Sequence, residues 1–180
     1  MPANPQESAP GVPSPGPAPW ARQIAALLGF LAVSWVVATL GSVPIILNSN
    51  GWYALAEKAP WTPPGWLFRS AWTALYAAMA VAAWLVWRQR AFPRRDALKV
   101  YAVLIVLNLA WPMTFFGMYP MMGTAALWLA LLIITAHAAT ATVTVLRFGP
   151  ISTSAGLLML PYVSWLVFSA SLNVYAALNN

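Results

Sequence analysis

The chemistry of this chain rests on indoles, phenols and amides. The stretch NLAWPMTFFG places Asn108 and Trp111 three residues apart, with Phe115 four beyond Trp111, so all three share one helical face. The stretch PYVSWLVFSASLN places Pro161, Trp165 and Ser169 at four-residue steps, with Asn173 one turn further on. Trp72 and Tyr76 form another pair at four-residue spacing. Rings of this kind stack on flat apolar surfaces, and each indole N–H donates one hydrogen bond. An asparagine inside an apolar run is costly unless bonded, so Asn108 is expected to point inward. Facing a cavity, such a set binds a flat apolar ligand. The competing reading is an interfacial belt of amphipathic rings. The belt suffices for Trp20, Trp84 and Trp87, and fits Trp111 and Trp165 less well, because each lies near a proline and a polar residue.

Other chemistry lacks its residues. The acids are Glu7, Glu57 and Asp96, none inside an apolar run, and there is no cysteine. No His/Cys/carboxylate set with metal-ligand spacing, phosphate-binding glycine loop or nucleophile–base–acid group is present. His137 lies in an apolar run among Ala and Thr. It reads first as a helix–helix hydrogen-bond partner, with a functional role as the lesser alternative.

The elements that must carry these residues follow from composition. The chain has 180 residues, 61% hydrophobic and 7% charged, against about 25% charged in a soluble domain. Apolar runs at about 21–47, 66–87, 97–117, 121–146 and 152–178 each reach or exceed the roughly 20 residues that cross a bilayer. Backbone groups in hydrocarbon must be bonded within their own segment, so all five are expected to be helices. The expected fold is an all-α membrane protein, a five-helix transmembrane bundle with a long loop between helices 1 and 2. Short turns at 118–120 and 147–151 imply antiparallel neighbours. Small residues at four-residue spacing, Ala25 and Gly29, then Ala74, Ala78 and Ala82, permit close helix approach. Residues 1–19, rich in Pro, Ala, Gly and Ser, are expected to be disordered.

The net charge of +6 reads as topology and not as a nucleic-acid surface. Arg22, Arg88, Arg90, Arg94, Arg95, Lys99 and Arg147 fall on one side of five spans, and Lys58 and Arg69 on the other. This bias places the N-terminus in the cytoplasm and the first loop outside, in a bacterial cell membrane. Lys58 and Arg69 read first as solvated loop charges, and second as partners for ligand carboxylates.

Three blocks carry a family resemblance. The first is Trp52-Tyr53, Lys58, Trp61, Pro63-Pro64, Trp66 and Trp72 through Leu75-Tyr76; the second is Asn108, Trp111-Pro112 and Phe115-Phe116-Gly117; the third is Pro161-Tyr162, Trp165 and Leu172-Asn173. In this order and spacing, from about residue 20 onward, the chain resembles the translocator protein (TspO/MBR) family, called tryptophan-rich sensory protein in bacteria. The resemblance implies a five-helix bundle whose first loop lids a ligand pocket, with porphyrins such as protoporphyrin IX as ligands and no other cofactor. It implies a ligand-binding set of Trp52, Tyr53, Trp61, Trp72, Tyr76, Asn108, Trp111, Phe115 and Trp165. Lipid surrounds the bundle, and a homodimer is a further expectation of the resemblance.

Two alternatives to simple binding stand beside it. In one, the protein degrades porphyrin in light, with Trp72 and Trp165 as the catalytic indoles. In the other, it transports porphyrin or another apolar solute. On the lid, Pro60, Pro63 and Pro64 are expected to stiffen an extended segment, and Trp61 and Trp66 to anchor it at the interface. The chain departs from the family at Lys58-Ala59-Pro60-Trp61, where Lys-Pro-Ser-Trp is usual. It also departs after Tyr175, where AALNN lacks the arginine of a proposed sterol motif.

Overall fold

A computed structural model describes residues 19–89 and 93–180. The N-terminal tail at 1–18, expected to be disordered, and Arg90 of the basic set lie outside the described residues. Among the described residues seven α-helices follow in chain order: α1 (Trp20–Asn48), α2 (Trp52–Leu55), α3 (Gly65–Arg88), α4 (Arg94–Pro112), α5 (Tyr119–Met122), α6 (Thr124–Phe148) and α7 (Thr153–Asn179). A π-helical turn, Met113–Met118, joins α4 to α5, so Arg94–Met122 is one continuous span. The five long helices are each apolar and long enough to cross a membrane. The chain is an integral membrane protein with an all-α five-span bundle.

Two boundaries differ from the sequence expectation. The third span was expected to end at Gly117 and turn at 118–120, but it runs on to Met122 and turns at Gly123. Pro120 lies inside this continuous span, in the first turn of α5 directly after the π-helical turn. Gly123 supplies the turn with φ +57°, a backbone that side-chain-bearing residues adopt poorly. At its other end the span starts at Arg94 rather than 97. Asp96 in that first turn suits the positive end of the helix, although a charged opening lies outside an apolar count.

The helices close into a ring in the order α1, α3, α7, α6, α4 and back to α1, with α6 and α7 packed most extensively. Leu104, Leu127, Ile134, Met159 and Leu166 fill the interior, while Trp35, Leu132 and Val167 face outward into lipid. Several hydroxyls on the spans are bonded to the carbonyl one turn back, as Thr73 to Arg69 at 2.9 Å and Thr135 to Leu131 at 2.8 Å. That arrangement removes the desolvation cost of a hydroxyl in hydrocarbon.

Proline and glycine set the closest contacts. Pro112 cannot donate to the carbonyl four residues back, and the wide π-helical turn begins directly after it. A Cβ on Gly41 would lie 3.2 Å from the Pro112 ring, and one on Gly117 would lie 3.4 Å from Pro44. Thus α1 meets the end of α4 and the π-helical turn through two reciprocal glycine–proline contacts. Between α6 and α7, a Cβ on Gly156 would lie 2.9 Å from the Gly149 Cα.

At the basic end, Arg22 lies over the Trp87 ring at 5.9 Å and Arg88 over Trp84 at 4.9 Å. Trp84 also donates to the Gln23 carbonyl at 3.0 Å, joining the start of α1 to the end of α3. Arg94 donates to the carbonyls of Trp87 and Gln89, each at 2.9 Å, closing the α3–α4 connection.

The α6–α7 contact has no room for a methyl group. Gly156→Ala is expected to destabilise the protein by about 1–3 kcal/mol, as overpacking does. Gly29→Ala, whose added Cβ meets nothing within 4 Å, serves as the control. Thermal unfolding in detergent measures both, and an unshifted midpoint for Gly156→Ala would show that the contact yields freely.

Candidate functional site

The site is an aromatic cluster between α3, α4 and α7. Trp72 of α3 is its centre. Its ring lies 6.4 Å from Trp111, nearly parallel at 24°, and 6.5 Å from Trp165, nearly perpendicular at 88°. Tyr76 lies 5.9 Å away and Tyr162 6.2 Å away. Phe115 continues the series 5.3 Å from Trp111. The one-turn spacings placed each pair on a single face, and the helix ring turns those faces toward one another.

A polar chain runs beside the rings. The Tyr76 hydroxyl donates to Asn108 Oδ1 at 2.8 Å, and Asn108 Nδ2 donates to the Tyr162 hydroxyl at 2.8 Å. The Tyr162 hydroxyl pairs with His137 Nε2 at 2.8 Å, and it is the donor in the tautomer that carries the ring proton on Nδ1. Asn108 is 2% exposed and His137 1%, so neither has water as an alternative partner. His137 is therefore a helix–helix hydrogen-bond partner, linking α6 to α7. A second chain lies close by: Trp111 Nε1 donates to Asn173 Oδ1 at 3.0 Å, and Asn173 Nδ2 donates to the Leu127 carbonyl at 2.9 Å.

Four buried side-chain polar atoms find no hydrogen-bond partner among the described residues: Ser34 Oγ, Tyr101 Oη, Trp165 Nε1 and Ser169 Oγ, the last two one turn apart on α7 beside the cluster. Buried polar groups are nearly always satisfied, and one left unmade costs about 1–3 kcal/mol. The Trp165 ring is held by Phe68 at 5.6 Å and Phe168 at 5.3 Å.

The first loop closes over the π-helical turn. Trp52 stacks on Tyr119 at 3.7 Å and donates from Nε1 to the Phe116 carbonyl at 3.1 Å. Tyr53 meets Phe116 edge-on at 5.0 Å, and burial pushes its phenol up from the ordinary value, which keeps it neutral. The loop also ties to the chain's end. Asn180 accepts from the Glu57 amide at 2.8 Å and donates to the Glu57 carbonyl at 3.1 Å. Ahead of the proline segment the loop forms one helical turn, α2, while residues 56–64 with their three prolines are not helical, and Ala59 of the departing Lys-Ala-Pro-Trp sequence is buried.

Of the nine residues expected to bind ligand, Trp72, Tyr76, Asn108, Trp111, Phe115 and Trp165 come together, with Trp52 and Tyr53 closing against Phe115 at 5.8 and 6.2 Å. Trp61 does not join them. It is 51% exposed, donates to Ser171 Oγ at 3.2 Å and packs on Tyr175 at 5.6 Å, which makes it a fastener of the loop to α7. Trp66 is exposed at the end of a shallow groove on the lipid side of α3, with Arg69, Ser70 and Ala77. Lys58 turns back on the loop, donating to the carbonyls of Ala54 and Ala56, both at 3.3 Å. Tyr162, Ser169 and Asn173 lay in the quoted motifs without an assigned role. Their partners are on other helices, and no local spacing reports that.

Comparison with known proteins agrees with this architecture. The sequence pattern of the TspO/MBR family matches residues 27–178. The chain is similar to the translocator protein of Ovis aries, 35% identical over 86% of this chain and 88% of the relative. It is similar to the translocator protein of Homo sapiens, 37% identical over 81% and 85% of the two chains. It is also similar to the tryptophan-rich sensory protein of Cereibacter sphaeroides, 34% identical over 84% and 89%.

Asn108 supplies both an acceptor and a donor between helices. Asn108→Leu is expected to destabilise the bundle by about 1 kcal/mol for each bond lost, the scale of hydrogen bonds within membrane helices. Thermal unfolding of the detergent-solubilised protein tests this, and parental stability in the variant would rule out a holding role for the chain of bonds.

Proposed function

The chain belongs to the TspO/MBR family, and on that premise we propose that it binds porphyrins in the aromatic cluster, beneath the first loop. One observation carries the reading: a buried cluster of indoles contains two unpartnered donors, Trp165 Nε1 and Ser169 Oγ. Indole faces suit a flat conjugated macrocycle. The free donors suit an acceptor on its rim, such as a carboxylate. The rings pack against one another at 5.3–6.5 Å, so a macrocycle is accommodated by moving them apart. The loop is the element that opens, because it is held by side-chain contacts of Trp52, Tyr53, Trp61 and the Glu57–Asn180 pair and not by a packed span. The names translocator and sensory protein among its relatives fit a ligand-binding role in a membrane.

The second reading is light-dependent degradation of protoporphyrin. It is favoured by the contact of Trp72 with Trp165 at 6.5 Å, which joins two oxidisable rings in one cluster. Transport has no comparable support. The placement of Arg22, Arg88, Arg94, Arg95, Lys99 and Arg147 at one end of the spans supports an N-terminus in the cytoplasm and a first loop outside, in a bacterial cell membrane.

Titration with protoporphyrin IX in the dark is expected to quench tryptophan fluorescence saturably. Trp165→Phe, which keeps a ring but removes the Nε1 donor, should weaken binding by up to about tenfold, the value of one hydrogen bond. Trp84→Phe, among the basic residues at the far end, should leave it unchanged. Absence of saturable quenching would overturn porphyrin binding. A Soret band in the complex that bleaches in light no faster than free porphyrin would remove the second reading.

Orientation has a clean assay because the chain has no cysteine. In intact cells, Lys58→Cys is expected to react with a membrane-impermeant thiol reagent. Labelling only after cell disruption would reverse the topology.

A further inference from the structure

Two tyrosines touch Trp72, and their hydroxyls meet different partners. Tyr76, at 5.9 Å between rings, gives its proton to Asn108 Oδ1 at 2.8 Å. Tyr162, at 6.2 Å, pairs its hydroxyl with His137 Nε2 at 2.8 Å, donating to it in the Nδ1–H tautomer. An amide oxygen accepts a hydrogen bond but not a proton, whereas a neutral imidazole nitrogen accepts both. Loss of an electron makes a phenol strongly acidic, so a tyrosine yields an electron most readily when a base is already in line.

We infer that Tyr162 and His137 form a proton-coupled redox pair that draws oxidation away from the tryptophan cluster. An outer-sphere oxidant, such as a trivalent metal complex or an organic peroxyl radical, first takes one electron from an indole and is itself reduced by one electron. Trp72 is reached from the loop through Trp52, Phe115 and Trp111, with successive ring separations of 5.8, 5.3 and 6.4 Å. The Trp72 radical cation then takes one electron from Tyr162. The phenol proton moves along the existing hydrogen bond to His137 Nε2. The products are neutral Trp72, a neutral Tyr162 phenoxyl radical and a His137 imidazolium. One electron and one proton move, and no heavy-atom bond forms or breaks.

The buried setting suits this step. Tyr162 is 0% exposed and His137 1%. A lone proton transfer there would create a charge pair in a medium that penalises charge. Here one positive charge on Trp72 is replaced by one positive charge on His137, so the buried net charge does not change. Asn108 Nδ2 keeps its donation to the Tyr162 oxygen at 2.8 Å, which holds the radical oxygen in place.

The inference does not rest on porphyrin binding, and its test uses no porphyrin. The full chain in detergent is oxidised by a flash-generated ruthenium(III) polypyridyl, freeze-trapped and examined by high-field EPR. The expected product includes a tyrosyl radical with the g-tensor shift of an oxygen hydrogen-bonded to a cation. Tyr162→Phe should lose that component. His137→Gln, which still accepts the Tyr162 hydrogen bond but takes no proton, should lose it as well and leave more indolyl radical. Tyr101→Phe, whose ring contacts Phe30 and Phe148, should retain it. Absence of the shifted component in the parent protein, or its survival unchanged in either Tyr162→Phe or His137→Gln, would overturn the inference.

Discussion

The structure depends on satisfying polar side chains where no water reaches. Asn108 is the clearest case. Its amide accepts from Tyr76 on α3 and donates to Tyr162 on α7, and Tyr162 in turn reaches His137 on α6. One series of three hydrogen bonds thus threads four helices. Between apolar helices in lipid there is little hydrophobic drive to associate, so close packing and bonds of this kind decide which faces meet. The aromatic rings follow, because Trp72, Trp111 and Trp165 ride on the same faces as Tyr76, Asn108 and Tyr162.

The same constraint explains the backbone irregularities. Pro112 breaks the regular hydrogen-bond ladder one residue after Trp111, and the chain answers with a π-helical turn rather than a loop. A wide turn keeps the span helical through Met122 and presents Phe115, Phe116 and the Phe116 carbonyl together. That carbonyl is where Trp52 docks. The closure of the first loop is therefore tied to the irregularity in α4, while Trp61 and Asn180 secure the other side of the loop to α7 and to the chain's end.

Rigidity and access are divided between these parts. The α6–α7 contact, tight enough to exclude a methyl group at Gly156, is a fixed wall. The loop is held by a few side chains, Trp52, Trp61 and the Glu57–Asn180 pair. Opening the loop breaks few interactions and leaves the spans intact, which is what a buried ligand site beneath a lid requires.

Much of this was legible in the sequence. Apolar length alone determined five spans, because hydrocarbon leaves an isolated backbone segment no alternative to the helix. One-turn spacing determined that Asn108, Trp111 and Phe115 share a face, and that Trp165, Ser169 and Asn173 lie along one stripe. What spacing could not determine is which face meets which. Tyr162 and His137 are 25 residues apart on different helices, and only the packing of α6 on α7 makes one the other's partner. Trp61 and Trp52 look alike in sequence as loop indoles, yet one fastens to α7 and the other docks on the π-helical turn. Pro120 read as a turn because proline breaks a helix interior, but the span continues through it by way of the π-helical turn, and the turn fell to Gly123. Local chemistry is written in the order of residues. Partnership depends on helix rotation and docking, which only the packed bundle decides.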